Sequence, residues 1–576
     1  MYIQRNHKNG KLSSVLLCSK YREGKKVKTR TEANLSKLPS DIILIIENAL
    51  RSKGETMVHL KDISVISSID YGYANVLSEL LQSLRIDELL EKSLSPEDAA
   101  LVKAMIIGKI ITGGSKLCIF NWLHRESAIC ELLGIDMTGR TVDELYSSLG
   151  QLHSHQLKIE KKWFRYHKGI QRRIYLYDIT STFFYGDQNE LADYGYSRDG
   201  LSGKKQICVG LLTTEDGFPL RIKAFAGNTP DSKTVVDQIL DLKKEFGVEQ
   251  IVFVGDRGMQ IMYNIENDDE LSEEDINFIT GLTHAQINTL IDEGHIDLNL
   301  FKRDLVEVKV EDMRYVLSIN PELEAKEFFY LDNSRNRTDA LVENIRKSWN
   351  KRCMRNQENR IRQQENAKKY KHLKTALNTK DIDGYKRRVE QAVKECGMSK
   401  YYRMEIIDDE TIEITFLEDE FNKSRSLCGK YVVCSNVPVE ELTTEQVRGQ
   451  YKNLQQVEHA FRDIKGGNIS IRPVYHRKER QTRGHVMLCM FAYAIVKEME
   501  NKLFPFLKKY NRTQKRQLSF NDLIAELDNI KVCKLRIGAG AVSVQKPELN
   551  PLQKSIFEEL NIDPDKITKC RESRGK

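Results

Sequence analysis

Residues 448–465 read Arg448-Gly449-Gln450-Tyr451-Lys452-Asn453-Leu454-Gln455-Gln456-Val457-Glu458-His459-Ala460-Phe461-Arg462-Asp463-Ile464-Lys465. The stretch holds no proline and a single glycine near its start, so it predicts one helix. At about 100° per residue, Val457, Ala460, Phe461 and Ile464 fall on an apolar face. Tyr451, Leu454, Glu458, Arg462 and Lys465 fall on a neighbouring one. A carboxylate, a phenol and two cations then share one side of a helix whose other side packs on a core. Taken alone, such a face is ordinary solvated surface. It gains meaning from the segment upstream, where two aspartates stand at predicted strand ends and a third acid is wanting.

That segment begins near Arg172, where the apolar period changes. A short apolar run at 174–179 ends in Asp178-Ile179-Thr180-Ser181-Thr182. Runs 206–213 and 219–226 predict two strands joined by the turn Thr214-Glu215-Asp216-Gly217-Phe218. Gly227-Asn228-Thr229-Pro230-Asp231 starts a helix, capped by Thr229 with Pro230 first, which carries Val235, Val236, Ile239, Leu240 and Leu242. A strand at 250–254 runs into Gly255-Asp256-Arg257-Gly258, and a last one covers 276–282. The order gives a mixed α/β sheet, with α+β organisation overall, whose first three strands are antiparallel.

In such sheets the residues past the strand ends line the functional crevice. Asp178 and Asp256 brought together there would repel unless a cation stood between them. Hard oxygen donors suit Mg²⁺, with Mn²⁺ as substitute. With Glu458 from the helix they form a candidate catalytic and metal-binding set for two ions, the arrangement that supports phosphodiester cleavage and transfer. Tyr451, Lys465, Arg257 and Arg462 are then candidate phosphate-binding residues. Asp187, Asp193, Asp199, Asp231 and Asp463 are rivals. Asp231 reads better as a helix-start residue, Asp463 points off the Tyr451–Glu458–Lys465 face, and His476 and His485 read as structural.

The bulk numbers limit this little. The 576 residues suffice for several domains, and the net charge of +7, from 90 Lys and Arg against 83 Asp and Glu, permits nucleic-acid binding without arguing for it. Eleven cysteines with no Cys-x-x-Cys pair read as reduced thiols in the cytosol, and no zinc site is expected. The polar, basic N-terminus does not resemble a signal peptide. No apolar run is long enough for a membrane span, and 486–496 reads as a buried helix.

Six segments are expected. Residues 1–69 form a small β and helix module around the turn Arg22-Glu23-Gly24-Lys25, and 70–170 a helical domain for DNA-end binding or scaffolding. Within it Ser95-Pro96 starts a helix that Gly113-Gly114 ends, and another helix covers 141–167. Residues 171–284 form the first part of the catalytic core and 441–500 the second, with the Glu458 helix and an apolar helix at 484–499. Residues 285–440 are an insertion with strands and charged helices, in which 341–390 hold 15 Lys or Arg against 6 Asp or Glu, a balance suited to a polyanion. Residues 501–576 form a C-terminal helical tail with dimerisation as its candidate role and a loose basic end from 566.

At these residues the chain resembles the DDE transposases of insertion sequences, in the IS-four-like group. Their signature is Tyr-x2-Arg-x3-Glu-x6-Lys, and here Tyr451, Glu458 and Lys465 keep the spacing while Leu454 stands in place of Arg. The contexts Tyr177-Asp178-Ile179-Thr180-Ser181-Thr182, with Phe184 and Gly186 after it, and Val254-Gly255-Asp256-Arg257-Gly258 resemble the family's first and second aspartate motifs. The resemblance is best over 172–283 and 430–496. It implies an RNase H-like core with an insertion domain before the Glu helix. It implies Mg²⁺-dependent cut-and-paste transposition, DNA partners in the terminal inverted repeats and the target, and a homodimer in the synaptic complex. The place of action would be the bacterial cytoplasm, in association with the nucleoid. The competing expectation is a transposase-derived DNA-binding protein without catalysis, for which Leu454 is the one feature in favour.

Overall fold

The computed structural model describes residues 1–566 apart from 9, 52–62, 126–127, 169–172, 187, 199, 202, 269–270, 272–275, 376–378, 409, 467–468, 473, 515–516 and 538–540. Asp187, Asp199, Arg172 and the tail beyond 566 therefore lie outside the described residues. The chain divides into two compact units. One comprises 1–79, 123–136 and 502–576, the other 80–122 and 137–501. This division departs from the expected segments at 70–170 and 501–576, neither of which stands alone.

In the smaller unit, β1 (Tyr2–Lys8), β2 (Lys11–Glu23) and β3 (Lys26–Asn34) form an antiparallel sheet. Gly24, at φ 62°, makes the expected turn between the last two strands. Val15, Leu35 and Ile43 close a small core under the helix Ser40–Arg51. A second sheet pairs β4 (Ile63–Asp70) with Lys531–Ile537, which pairs in turn with Ala541–Gln545. The C-terminal segment is thus no purely helical tail. Its strand Lys531–Ile537 completes a sheet begun at Ile63–Asp70, far back in the chain, a pairing that local sequence does not encode.

The larger unit is built on eight strands. They are β5 (Ile174–Phe183), β6 (Gln206–Thr213), β7 (Pro219–Ala226), β8 (Ile251–Gly255), β9 (Ile276–Gly281), β10 (Val306–Val310), β11 (Met313–Ile319) and β14 (Lys430–Ser435). Their order is β10-β11-β14-β9-β8-β5-β6-β7, with β5, β8 and β9 parallel to one another and every other pairing antiparallel. β6 and β8 are buried along their whole length because helices cover the sheet. Helix Gln156–His167 lies against β7, and Phe164 stacks on Tyr175 of β5 at 5.7 Å. Arg221 of β7 fastens that layer, reaching Glu160 at 3.2 Å and Asp241 at 2.6 Å.

Ser95 caps Pro96–Thr112 as expected, accepting from the Asp98 N–H. The single helix expected over 141–167 is two, Val142–Ser154 and Gln156–His167, which meet at His155. The apolar stretch 486–496 is buried within one long helix, Glu479–Gln514. Among the described residues no helix is long and apolar enough to cross a membrane.

The insertion is shorter than expected. β10, β11 and β14 lie within 285–440 yet belong to the main sheet. Their apolar sequences extend it at the β9 edge. What leaves the sheet is 321–428, between Ile319 and Lys430, which face each other as an antiparallel pair. Asn320 caps a 45-residue helix, Pro321–Glu365, about 68 Å long at 1.5 Å per residue. Helix Thr379–Glu395, the hairpin β12 (Tyr402–Ile406) and β13 (Ile412–Phe416), and helix Glu418–Ser426 complete the insertion. It has its own core, in which Trp349 stacks on Tyr385 at 4.8 Å and Val389, Val393, Met398 and Phe421 are buried around them.

Candidate active site

β8 pairs with β5 only at Ile174, Tyr175 and Leu176. Beyond Leu176, β5 keeps its antiparallel neighbour β6, with Asp178 opposite Leu211, but loses its parallel one. The strand was expected to end at Asp178. It runs on to Phe183 because β6 carries it, and Asp178 lies mid-strand where the sheet opens on one side. β8 stops at Gly255, and Asp256 follows with extended backbone (φ −71°, ψ 158°) before a 3-10 turn, Arg257–Met259. Both acids thus stand just beyond the parallel pairing of β5 with β8, at the opening of the sheet, which is where α/β sheets form clefts. Gln260, at φ 51°, closes that turn in a left-handed conformation that a side chain disfavours.

The expected helix 448–465 is two. Thr443 caps Thr444–Lys452 with a Gln446 capping box, and that helix ends at Asn453, whose N–H still bonds to the carbonyls of Gly449 (3.0 Å) and Gln450 (3.1 Å). Leu454–Gly466 follows and packs on β5 and β6. Its buried face is Val457, Ala460, Phe461 and Ile464, as read from the sequence, but Leu454 joins it. Leu454, four residues before Glu458 and seven before Phe461 on the same helix, borders both faces, and the core takes it. Glu458 and Arg462 are exposed, and Lys465 is half-buried.

Asp178 is half-buried, and its Oδ1 accepts from the Ile179 N–H at 2.7 Å. Burial above all pushes its carboxyl up to about 7, with the charges of Asp256 and Glu458 adding to the rise and the Ile179 N–H and Arg198 opposing it. The charges of Asp256 and Glu458, far apart in sequence, therefore both reach Asp178. Tyr451 donates to Asp256 Oδ1 at 3.3 Å, and burial, followed by the Asp256 charge, drives its hydroxyl pKa upward. Arg257 is exposed beside Asp256, and its charge reaches the Tyr451 hydroxyl. The charge of Lys465 reaches Cys208 on β6. Arg462 is exposed one turn beyond Glu458 on the same helix, and its charge reaches Asp463.

Arg198 is the cation that the sequence reading missed. It pairs with Asp231, its charge reaches Asp178, and it lines a cavity of about 450 Å³ together with Gln206, Cys208, Asn228, Gly258 and Gln260. It sits in a loop with no periodic signal. Asp231 opens helix Asp231–Lys244 and holds Arg198 as well. Asp193 is engaged with Asn228 at 2.7 Å, Asp463 lies near His459 and Lys497, and His476 and His485 are buried, their rings 4.9 Å apart.

Among the described residues no three His, Cys, Asp or Glu side chains are already drawn tightly enough together to hold an ion. The donor set nevertheless fits a hard divalent cation. Magnesium-like ions take one or two carboxylates and complete their shell with water and substrate phosphate, and the mutual repulsion registered at Asp178 is what a cation would relieve.

A central strand and its parallel neighbour offering acids at the opening of a mixed sheet, with a helix laid across them, form the RNase H-like class. Within it, the model of the family described as "Transposase DDE domain" matches residues 172–495, more than half of the chain, and the chain belongs to that family. No curated protein matches it. Family membership brings a transposase role, nuclease-type chemistry, DNA as partner and the use of divalent metal.

Proposed function

We propose that the protein is an active cut-and-paste transposase of the IS-four-like branch. It would cleave DNA at the terminal inverted repeats of its element and join the freed ends to target DNA. Asp178, Asp256 and Glu458 are the catalytic and metal-binding residues in this reading. The observation that carries it is the opening of the sheet beyond Leu176, where Asp178 stands beside the end of β8 that Asp256 follows and the helix of Glu458 packs on β5; the charges of both other acids add to the burial that raises Asp178. Two Mg²⁺ ions, with Mn²⁺ as substitute, would supply an activated water or sugar hydroxyl on one side of the phosphate and stabilise the leaving oxygen on the other. Tyr451 holds the Asp256 carboxylate in place through its hydroxyl. Arg257 and Lys465 provide positive charge for the phosphates that flank the scissile bond, and Arg462 provides it further along the helix. A homodimer would hold two ends at once in the bacterial cytoplasm, on the nucleoid. Against the reading as an inactive descendant, Leu454 sits in the core, so the departure from the signature removes no group from the cleft.

The test is Asp256→Asn in the full chain. Metal-dependent strand cleavage should be lost while binding to element ends stays within about twofold. Cleavage at the wild-type rate would take Asp256 out of the site.

A further inference from the structure

Five residues beyond Asp178 the same strand ends in a cluster of aromatic rings and cations. Phe184 forms a parallel bridge with Val474, and the Tyr185 N–H donates to the Val474 carbonyl at 3.1 Å. Phe184 and Val474 are buried, so alternation turns Phe183, Tyr185 and Tyr475 outward. Tyr185 is 44% exposed and Tyr475 55%. Their rings lie 5.2 Å apart, and Phe183 lies 4.9 Å from Tyr185. Lys204 Nζ stands 5.3 Å from the rings of both Phe183 and Tyr185. The Arg472 guanidinium sits 4.6 Å over Phe183, held by a 3.0 Å bond from its Nε to Thr182 Oγ1. Single exposed aromatics are common on surfaces. Three in contact, fixed by a backbone bridge and flanked by two cations, make a platform.

We propose that this platform binds unpaired deoxynucleotides of the DNA strand leaving the cleft. The inference rests on the transposase reading and adds to it a site for single-stranded DNA. In a duplex each base is covered by its neighbours, so an aromatic ring can take a base face only where the strand is unpaired. Lysine and arginine beside the rings meet the phosphates that come with it. The spacing suits the role. Five residues of extended strand span about 16 Å at roughly 3.3 Å each, or about five nucleotides at 3.4 Å apiece along one strand.

The experiment uses the full chain without metal, so that DNA is bound and not cut. Binding is read by fluorescence anisotropy at one fixed salt concentration, with a labelled twenty-nucleotide oligo-dT and a blunt twenty-base-pair duplex as probes. Tyr185→Ala with Tyr475→Ala should weaken oligo-dT binding about tenfold and change duplex binding less than twofold, and Tyr185→Trp should keep wild-type affinity. Unchanged oligo-dT binding, or equal losses on both probes, overturns the platform and leaves the transposase reading standing. A wild-type chain that binds neither probe brings down both. A second measurement needs no variant. With 2-aminopurine placed at successive positions of the oligonucleotide, the wild-type chain should quench its fluorescence by stacking. Absence of quenching at every position overturns the proposal.

Discussion

Tyr451 reaches Asp256 across the bare backbone of Gly281. A Cβ on residue 281 would stand 2.8 Å from Tyr451 Cζ and closer still to the hydroxyl. The ring packs over Gly281 of β9, the parallel neighbour of the strand that Asp256 follows, and its hydroxyl meets Oδ1 of that acid. The second acid is thus set from two sides, by the end of β8 beneath it and by a phenol that only a glycine admits.

Gly281→Ala should therefore displace Tyr451 and cost more than loss of the hydroxyl alone. Overpacking at a buried position of this kind costs about 1–3 kcal/mol, and cleavage should fall at least about tenfold, since small misplacements at a site are expensive. Tyr451→Phe should cost less on both measures. Tyr451→Ala added to Gly281→Ala should recover the stability and not the cleavage. If denaturant melts of the single and double variants coincide, the ring is not what fills the space above residue 281.

Leu454 gives a second prediction. A resemblance judged by spacing alone would place an arginine at this position, yet Leu454 is 8% exposed among Val457, Ala460 and Phe461. Leu454→Arg, which restores the signature, should destabilise the protein by roughly 3 kcal/mol through burial of a charge and should not raise cleavage. A more active and equally stable variant would return residue 454 to the cleft.

These two positions mark how far the sequence could be read. The helices, the strands of the mixed sheet and the apolar face of Val457, Ala460, Phe461 and Ile464 follow from local periodicity, which is a property of neighbouring residues. The break at Asn453 does not, because it falls inside a stretch with no proline, between two helices that pack separately. The run of β5 past Asp178 depends on β6, and the pairing of β4 with Lys531–Ile537 on a strand at the far end of the chain. Asp178, Asp256 and Glu458 were legible as candidates from their motifs. Arg198 was not, since nothing in its loop shows that it turns toward Asp178.

The pH dependence of stability should come from a buried basic cluster that the site does not use. Lys116 Nζ lies 3.1 Å from His485 Nδ1, and Lys109 donates to the carbonyls of Gly113 and Gly114 at 3.0 and 2.8 Å. Burial first, then the charge of Lys109, brings Lys116 down to about 7. Burial first, then both lysines, brings His476 down to about 3. His485 is likewise held well below its ordinary value by burial. Each folded pKa lies below the unfolded one, so the unfolded chain holds more protons in between and stability rises with pH across the window. For Lys116 that window runs from about 7 to 10.5, and for His476 from about 3 to 6.5. Stability should fall as pH drops through each. Lys116→Met should raise unfolding free energy by on the order of 1–2 kcal/mol at pH 6, with the gain fading toward pH 10.5. A gain equal at both ends of the range would mean that packing and not charge is responsible.

The insertion should be removable at one point. Ile319 and Lys430 are paired across β11 and β14, and the Asn320 N–H donates to the Gly429 carbonyl at 2.8 Å. Deleting 321–428 and joining Asn320 to Gly429 leaves Asn-Gly between two antiparallel strands, the favoured sequence for a two-residue hairpin turn. Gly429 already has φ +67°, as such a turn requires. The deleted part carries its own core around Trp349 and Tyr385, so its loss need not open the sheet. The shortened chain should melt cooperatively and keep the charges around Asp178. What it should lose is phosphate contact. With the 15 cations of 341–390 gone, the slope of log affinity against log salt should flatten, by about 0.9 for each phosphate contact removed. An unchanged slope would leave the charged helices as solvated surface, and a chain that no longer folds would show that β10, β11 and β14 depend on the insertion.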